Sequence, residues 1–158
     1  MSPLREIMRH VPSSVAVVTA LHDQGPVGMT VGSFTSASLD PPLVSFFAGR
    51  HSTTWPLIRE AGRFCVNVLS APQHQVAAAF ATRDADRFNG RSWTLSSLGS
   101  PLLDGVLAWL DCELDAVYEA GDHVAVTGLV HGGHAAVDAH PLVFFRGELV
   151  APGWPGPS

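Results

Sequence analysis

The chain contains no lysine, two cysteines and one tyrosine among its 158 residues, and only 15% of them are charged. Each scarcity removes a class of protein. Basic residues number 9 against 14 acidic ones, a formal charge of −5, which is the wrong sign for holding a phosphate backbone through the bulk field. Nucleic acid is therefore not expected as a partner. With lysine absent, every basic side chain is a planar guanidinium able to grip an anion through two bonds, a capacity rather than a site. Cys65 and Cys112 lie in apolar alternating runs, where a thiol is a small buried hydrophobe; a disulfide is open at this stage but not indicated. No apolar run reaches the ~18 residues that span a bilayer. Arg5, Arg9 and Val15 to Leu21 have the outline of a secretory signal, but Ser13, Ser14 and Thr19 interrupt it and no A-x-A site follows. The expectation is a cytoplasmic protein with no membrane partner.

Apolar residues make up 46% of the chain, and mean hydropathy is positive. One domain is expected over residues 1–150, followed by a flexible Pro/Gly-rich tail over 151–158. A chain this apolar is expected to cover part of its surface with another subunit, as a homo-oligomer.

The stretch from Gly28 to Pro42, GMTVGSFTSASLDPP, organises the rest. It is small, hydroxyl-rich and β-branched, with glycines where the main chain lies unshielded, and it ends in a proline pair that stops a regular ladder. Thr30, Ser33, Thr35, Ser36 and Ser38 supply short donors and acceptors suited to the edge of a flat polar ligand. An ordinary Ser/Thr-rich edge strand has the same composition, so the stretch alone does not decide.

Around it, Pro3 to His10 reads as a short amphipathic helix and Val15 to Leu21 as a first strand, forming a hairpin with Val27 to Ser36 across the Asp23-Gln24-Gly25-Pro26 turn. Leu43 to Ala48 is apolar throughout and is expected to be covered on both faces. A helix follows, with Ser52, Thr53 or Thr54 as its cap, Pro56 in its first turn and Gly62 as its stop. Phe64 to Leu69 returns as a strand, and Pro72 opens a second helix that ends near Ala81. After a charged loop over 82–90 come a long strand Leu107 to Tyr118, a turn at Ala120-Gly121-Asp122, a strand His123 to Val130, a Gly/His linker and a last strand Leu142 to Arg146. Roughly seven hairpin-linked strands with two or three short helices argue for a mainly β, closed or nearly closed antiparallel barrel.

Three places carry candidate chemistry. At the step from Phe47-Ala48-Gly49-Arg50-His51 into Ser52-Thr53-Thr54, hydroxyls, amides and a helix start make an anion site, with Arg50 able to add charge; a plain helix cap would look the same. His123 follows a tight turn at the start of a strand, a position that faces a pocket mouth, though a surface histidine also fits. In the run Arg83, Asp84, Asp86, Arg87, one arginine could reach a pyrophosphate, or the run is a solvated loop. His131, His134 and His140 lack the fixed spacing of a metal site, and no metal is expected. There is no G-x-S-x-G elbow, no P-loop and no G-x-G-x-x-G after a strand. A barrel with a polar strand, an anion site and no acid/base pair suits a ligand that brings its own reactivity.

The segments GMTVGSFTSASLDPPLVSFF, HSTTWPLI, FCVNVLS, DRFNG, GSPLLDGVLAWLDCEL, AGDHVAVTGLV and HPLVFFRGEL, in this order from about Val11 to Leu149, resemble the flavin reductase-like proteins of the FMN-binding split-barrel fold. These are reductase components of two-component flavin monooxygenases. The resemblance implies an antiparallel, Greek-key split barrel that forms a homodimer, holds FMN or FAD, reduces it with NADH or NADPH and supplies it to a monooxygenase. It implies that Thr30, Val31, Gly32, Ser33 and Phe34 line the isoalloxazine, with Ser36 and Ala37 close by. By the same resemblance His51, Ser52 and Thr53 hold the ribityl phosphate, and Phe80 and Ala81 border the flavin; from the charged run, not from the resemblance, Arg83 is added to the expected cofactor-binding residues as the arginine for a pyrophosphate. His123 faces the nicotinamide, with Phe145 and Arg146 near the same opening. Hydride transfer needs no side chain that exchanges a proton, so His123 is expected to position rather than to act as acid or base. Gly32, the PSSVAVVT run and Leu149 depart from the common pattern of Ser or Ala, PTGVAVVT and Tyr. Two other readings stand beside this one: a flavin or deazaflavin barrel with a different redox role, and a non-enzymatic dimeric binding module.

Overall fold

A computed structural model describes residues 2–82 and 86–152 of the chain. Helix α1 (Pro3–Met8) leads into strands β1 (Ser13–Ser14), β2 (Ala16–His22), β3 (Gly25–Val31), β4 (Thr35–Leu39) and β5 (Pro42–Gly49). Helix α2 (Trp55–Ala61), strand β6 (Arg63–Val68), a 3-10 turn at Ala71–Gln73 and helix α3 (His74–Ala81) follow. The second half is all strand: β7 (Trp93–Leu95), β8 (Pro101–Leu103), β9 (Ala108–Ala120), β10 (His123–Ala135), β11 (Val143–Phe145) and β12 (Glu148–Val150).

Seven strands form one antiparallel sheet in the order β3-β2-β6-β9-β10-β5-β4. Its two edge strands, β3 and β4, are consecutive in the chain, joined only by Gly32, Ser33 and Phe34. Laid flat, edges six strand spacings apart would stand about 29 Å from each other. The four Cα steps from Val31 to Thr35 span at most about 14 Å. The sheet must therefore curl until its edges approach, which makes a barrel with an open seam.

Inside the barrel Phe46 packs edge-on against Phe64 at 5.4 Å and against Trp55 at 5.9 Å, with α2 inserted so that Trp55 and Ile58 are buried. Outside it, Val15, Val17, Leu69, Ala77, Phe80, Leu103 and Leu142 form a second cluster. Strand β2 lies between them, Val18 turned to one and Val17 to the other, which is why it reads as continuously apolar. Buried polar groups on this outer side are paired. Asn67 donates to the Val17 carbonyl at 3.1 Å and accepts from Leu103 N at 2.9 Å, and Asp111 accepts from Ser96 Oγ at 2.8 Å and Leu98 N at 2.9 Å.

Several boundaries differ from the sequence reading. The expected strand Val27 to Ser36 is two strands on opposite sheet edges, broken at residues 32–34. Strand β5 is not covered on both faces: its burial alternates and Phe47 keeps 43% of its surface exposed. The Gly/His linker is strand, because β10 stays paired to β9 as far as Ala135, with register shifts after Thr127 and Val130 that bend the ribbon. The last strand is a hairpin, β11 and β12, turned through Arg146 at φ 54° and Gly147 at φ 82°. Pro72 sits in the 3-10 turn, and α3 begins at His74. Residues 153–158 of the expected tail lie outside the described residues.

Two features of the core give measurable consequences. A Cβ on Gly128 would stand 2.5 Å from Phe64 Cζ, so Gly128→Ala is expected to cost about 1–3 kcal/mol, partly restored by Phe64→Leu, as read from urea midpoints. Cys65 and Cys112 are free and buried. Burial, and next the nearby Asp111 carboxylate, push both thiols up, Cys112 to about 12. The folded chain therefore keeps protons that the unfolded chain releases once pH passes its ordinary thiol range, so this part of stability is complete below about pH 9 and declines above it. Urea midpoints are expected to fall between about pH 9 and 11 with a slope that a Cys65→Ala, Cys112→Ala variant reduces; an unchanged slope would contradict the assignment.

Candidate functional site

Strand β4 stops pairing with β5 at Ser45, whereas β10 follows β5 to Gly49. The end of β5 therefore has a neighbour on one side only, and the end of β3, an edge strand, faces it across the seam. A cleft of about 660 Å³ opens there. Its walls are Met29 to Ser33 from β3 and the link, Phe47 to Gly49 from β5, and residues 50–54 ahead of α2. Phe80 and Ala81 at the end of α3, Arg87, and Asp122 with His123 complete the rim.

The hydroxyls in this cleft divide sharply by what they already hold. Thr30 donates to the Ala77 carbonyl at 2.8 Å, tying β3 to α3. Ser52 accepts from Trp55 N at 3.1 Å, capping α2, and donates to Met29 Sδ at 3.7 Å. Thr54 accepts from Arg87 at 3.1 Å; the same guanidinium reaches the Gly28 carbonyl at 2.5 Å and the Thr82 carbonyl. Ser33 accepts from Phe47 N at 2.9 Å, so its own proton is left to point elsewhere. Among the described residues the Thr53 hydroxyl has no hydrogen bond. Ser33, Thr53 and Thr54, which only accepts from Arg87, are thus the cleft hydroxyls that keep a proton to give among the described residues.

The main chain adds to them. In an antiparallel strand a residue's N–H and C=O point to the same side, so Phe47 and Gly49 both face the seam. The Phe47 N–H is taken by Ser33 and the Gly49 carbonyl by Ser52 N at 3.1 Å, which leaves the Phe47 carbonyl and the Gly49 N–H toward the cleft. Among the described residues nothing lies nearer than 4.0 Å to where a Gly49 Cβ would stand, the neighbour being His123 Nε2. The His123 ring meets Asp122 Oδ1 through Nδ1 at 2.7 Å. That bond, with the His123 charge, holds the exposed Asp122 carboxyl below the usual carboxylate range.

Of the residues singled out in the sequence, Thr30, Val31, Gly32, Ser33, His51, Ser52, Thr53, Phe80, Ala81 and His123 meet in this one cleft. Phe34, Ser36 and Ala37 do not line it: Phe34 packs on the barrel core and Ser36 pairs with Val44 in the sheet. Phe145 and Arg146 do not line it either; the Arg146 guanidinium lies 4.8 Å over the Phe145 ring, and the turn is bound to Arg9. Their hairpin backs the cleft instead, with Phe144 and Leu149 lining an apolar cavity of about 290 Å³ that shares Thr30, Val31, Gly32 and Ala81 with it. Arg83 lies outside the described residues. Met29, Phe47, Ala48, Gly49 and Asp122 lie in segments the sequence singles out but carry no expected ligand role there; for the β5 residues it is the register of β5 against β4 that leaves them facing the cleft.

An antiparallel barrel split along one seam, with a flat polar cleft in the split, defines the class of small ligand-binding split barrels. The chain belongs to the flavin reductase-like family, whose domain description matches residues 8–152. It is 49% identical over 144 residues to a flavin reductase of Pseudomonas putida, covering 90% of this chain and 85% of that protein. It is 41% identical to HsaB, the reductase subunit of a flavin-dependent monooxygenase of Mycobacterium tuberculosis, over 91% of this chain and 78% of that one. Among solved structures, SgcE6 of Streptomyces globisporus C-1027, an NADH:FAD oxidoreductase in complex with NAD and FAD fragments, superposes with a TM-score of 0.88 at 34% identity, over 93% of this chain and 89% of that one.

The cleft fits a flavin on its own features. A wall without a side chain at Gly49 leaves room for a flat ring, and the Gly49 N–H and the Ser33 hydroxyl are donors of the kind a polar ring edge requires. Thr30, whose hydroxyl is already donated, serves the scaffold. Thr30→Val is expected to cost about 1 kcal/mol of stability through loss of the hydrogen bond that ties β3 to α3. A variant that melts like the wild type but loses flavin binding would return Thr30 to the ligand's own contacts.

Proposed function

We propose that the chain is an NAD(P)H-dependent flavin reductase that takes FMN or FAD and NADH or NADPH and acts in the cytoplasm as the reductase of a flavin-dependent monooxygenase. The observation that carries this reading is the meeting, in one seam, of the β3 end, the 51–54 loop and His123, segments far apart in sequence. Exposed Leu4, Ile7 and Met8 on α1 and Phe47 on β5 support a homodimer. Residues 1–150 act as the single functional domain, with 151–158 outside it.

When bound, the flavin supplies the two-electron acceptor and the reduced nicotinamide supplies the hydride. The protein's work is geometric and electrostatic. Ser33 O–H and Gly49 N–H form fixed donors toward the ring's polar edge, favouring the negative charge that reduction places there. The 51–54 loop, with the Thr53 hydroxyl, receives the phosphate, and Phe80 with Ala81 closes the apolar border. His123, at the rim and above the bare Gly49 wall, orients the incoming nicotinamide.

The reading is tested by mixing purified protein with FMN or FAD, adding NADH or NADPH without oxygen, and following loss of the flavin's visible absorbance. Rapid bleaching with at least one pair is expected, and none with any pair would refute it. His123→Ala is expected to raise KM for the nicotinamide nucleotide about tenfold, with kcat changed by less than about threefold. Abolished turnover with unchanged KM would instead make His123 a proton-transfer group.

A further inference from the structure

Arg50 stands in the cleft beside the loop proposed to take the phosphate, and its charge alone would make it a phosphate ligand. Its contacts point elsewhere. The Arg50 main-chain N–H donates to the Asp122 carbonyl at 3.0 Å, and its Nε donates to the Gly121 carbonyl at 2.5 Å. The other arm of the guanidinium pairs with Glu119. Three contacts from one residue thus land on Glu119, Gly121 and Asp122, at the end of β9 and in the turn into β10.

That turn needs holding. Gly121 lies at φ 64°, and the turn delivers His123 as the first residue of β10. Opposite His123 in the β5 pairing is Gly49, which has no side chain to brace an imidazole. The Asp122 carboxylate on Nδ1 is itself exposed and belongs to the same turn. The ring therefore takes its place from the turn's backbone rather than from packing. We propose that Arg50 is a positioning residue for the nicotinamide half of the reaction: it latches the 119–122 turn so that His123 is held over the Gly49 wall. This rests on the flavin reductase reading for its kinetic consequence, but not for the latch itself. A lysine cannot reproduce the latch, because one ammonium does not bond a carbonyl and a carboxylate in a guanidinium's fixed fork.

The test compares wild type with Arg50→Met, Arg50→Lys and Glu119→Gln, the last altering a residue whose side chain is 75% exposed and outside the cleft. Three quantities are read: KM for NADH and NADPH, Kd for FMN by fluorescence quenching, and hydrogen exchange of the amides of residues 120–124. Arg50→Met is expected to raise KM for the nicotinamide nucleotide about tenfold, to leave the FMN Kd within about twofold, and to speed exchange at the turn. Arg50→Lys is expected to follow it, and Glu119→Gln to move the same way by less. A tenfold weaker FMN Kd with unchanged exchange would overturn the proposal and make Arg50 a phosphate ligand. Should the wild type oxidise neither nucleotide, the reductase reading falls while exchange still decides the latch: faster exchange in Arg50→Met supports it, and unchanged exchange sinks it.

Discussion

Backbone amides and carbonyls at the end of β5 face open space because β4 leaves the ladder at Ser45, and β4 leaves because residues 32–34 are all the chain allows between the two edges of its sheet. In most barrels the closing strands bond to each other and no polar backbone is left over. Here the closure is deliberately short of complete. The Phe47 carbonyl and Gly49 N–H are left as fixed, prepaid polar groups, and a flat polar molecule can complete the sheet where a strand would otherwise lie. Fold and site are consequently one decision: the curl that buries Phe46, Phe64 and Trp55 also sets the width of the opening.

Around that opening the side chains divide into those that hold the walls and those that face the ligand. Thr30 binds β3 to α3, Ser52 caps α2 and Arg87 ties the Gly28 carbonyl to Thr54. Each is polar, and each has its hydrogen bond made within the protein, so the walls stay in place without a ligand. Ser33 does both, accepting from Phe47 N across the seam while its proton remains to give. Rigid walls with few free donors are what a hydride-transfer site requires, because the chemistry lies in the bound molecules and the protein supplies their alignment.

Much of this was legible in the residues. The hydroxyl-rich stretch, the Pro56 and Gly62 bounds of α2, the buried cysteines and the turn before His123 all follow local rules of propensity and spacing, and the structure keeps them. What escaped was set by register. A single apolar-polar pattern over Val27 to Ser36 gives no sign that its halves lie on opposite edges, and glycines and histidines in β10 disguise a strand whose partner is β9, some twenty residues away. Counting hydroxyls does not show which are already engaged: Thr30 and Ser52 line the cleft but donate to groups that only the folded chain brings near. Phe145 and Arg146, carried over by resemblance, back the cleft through their hairpin rather than lining it.

Strand β2 carries one more implication, for the life of the chain before it folds. Residues 15–20 are uncharged, four of the six β-branched, and buried on both faces, the profile of a segment that self-associates when bare. Its shelter is the next stretch to be synthesised, since β3 pairs with it residue for residue from Ala16 to His22 across a turn at Asp23 and Gln24. A segment prone to self-association is thus covered by its nearest neighbour in sequence, and the strand that lines the cleft is also the one that shields it.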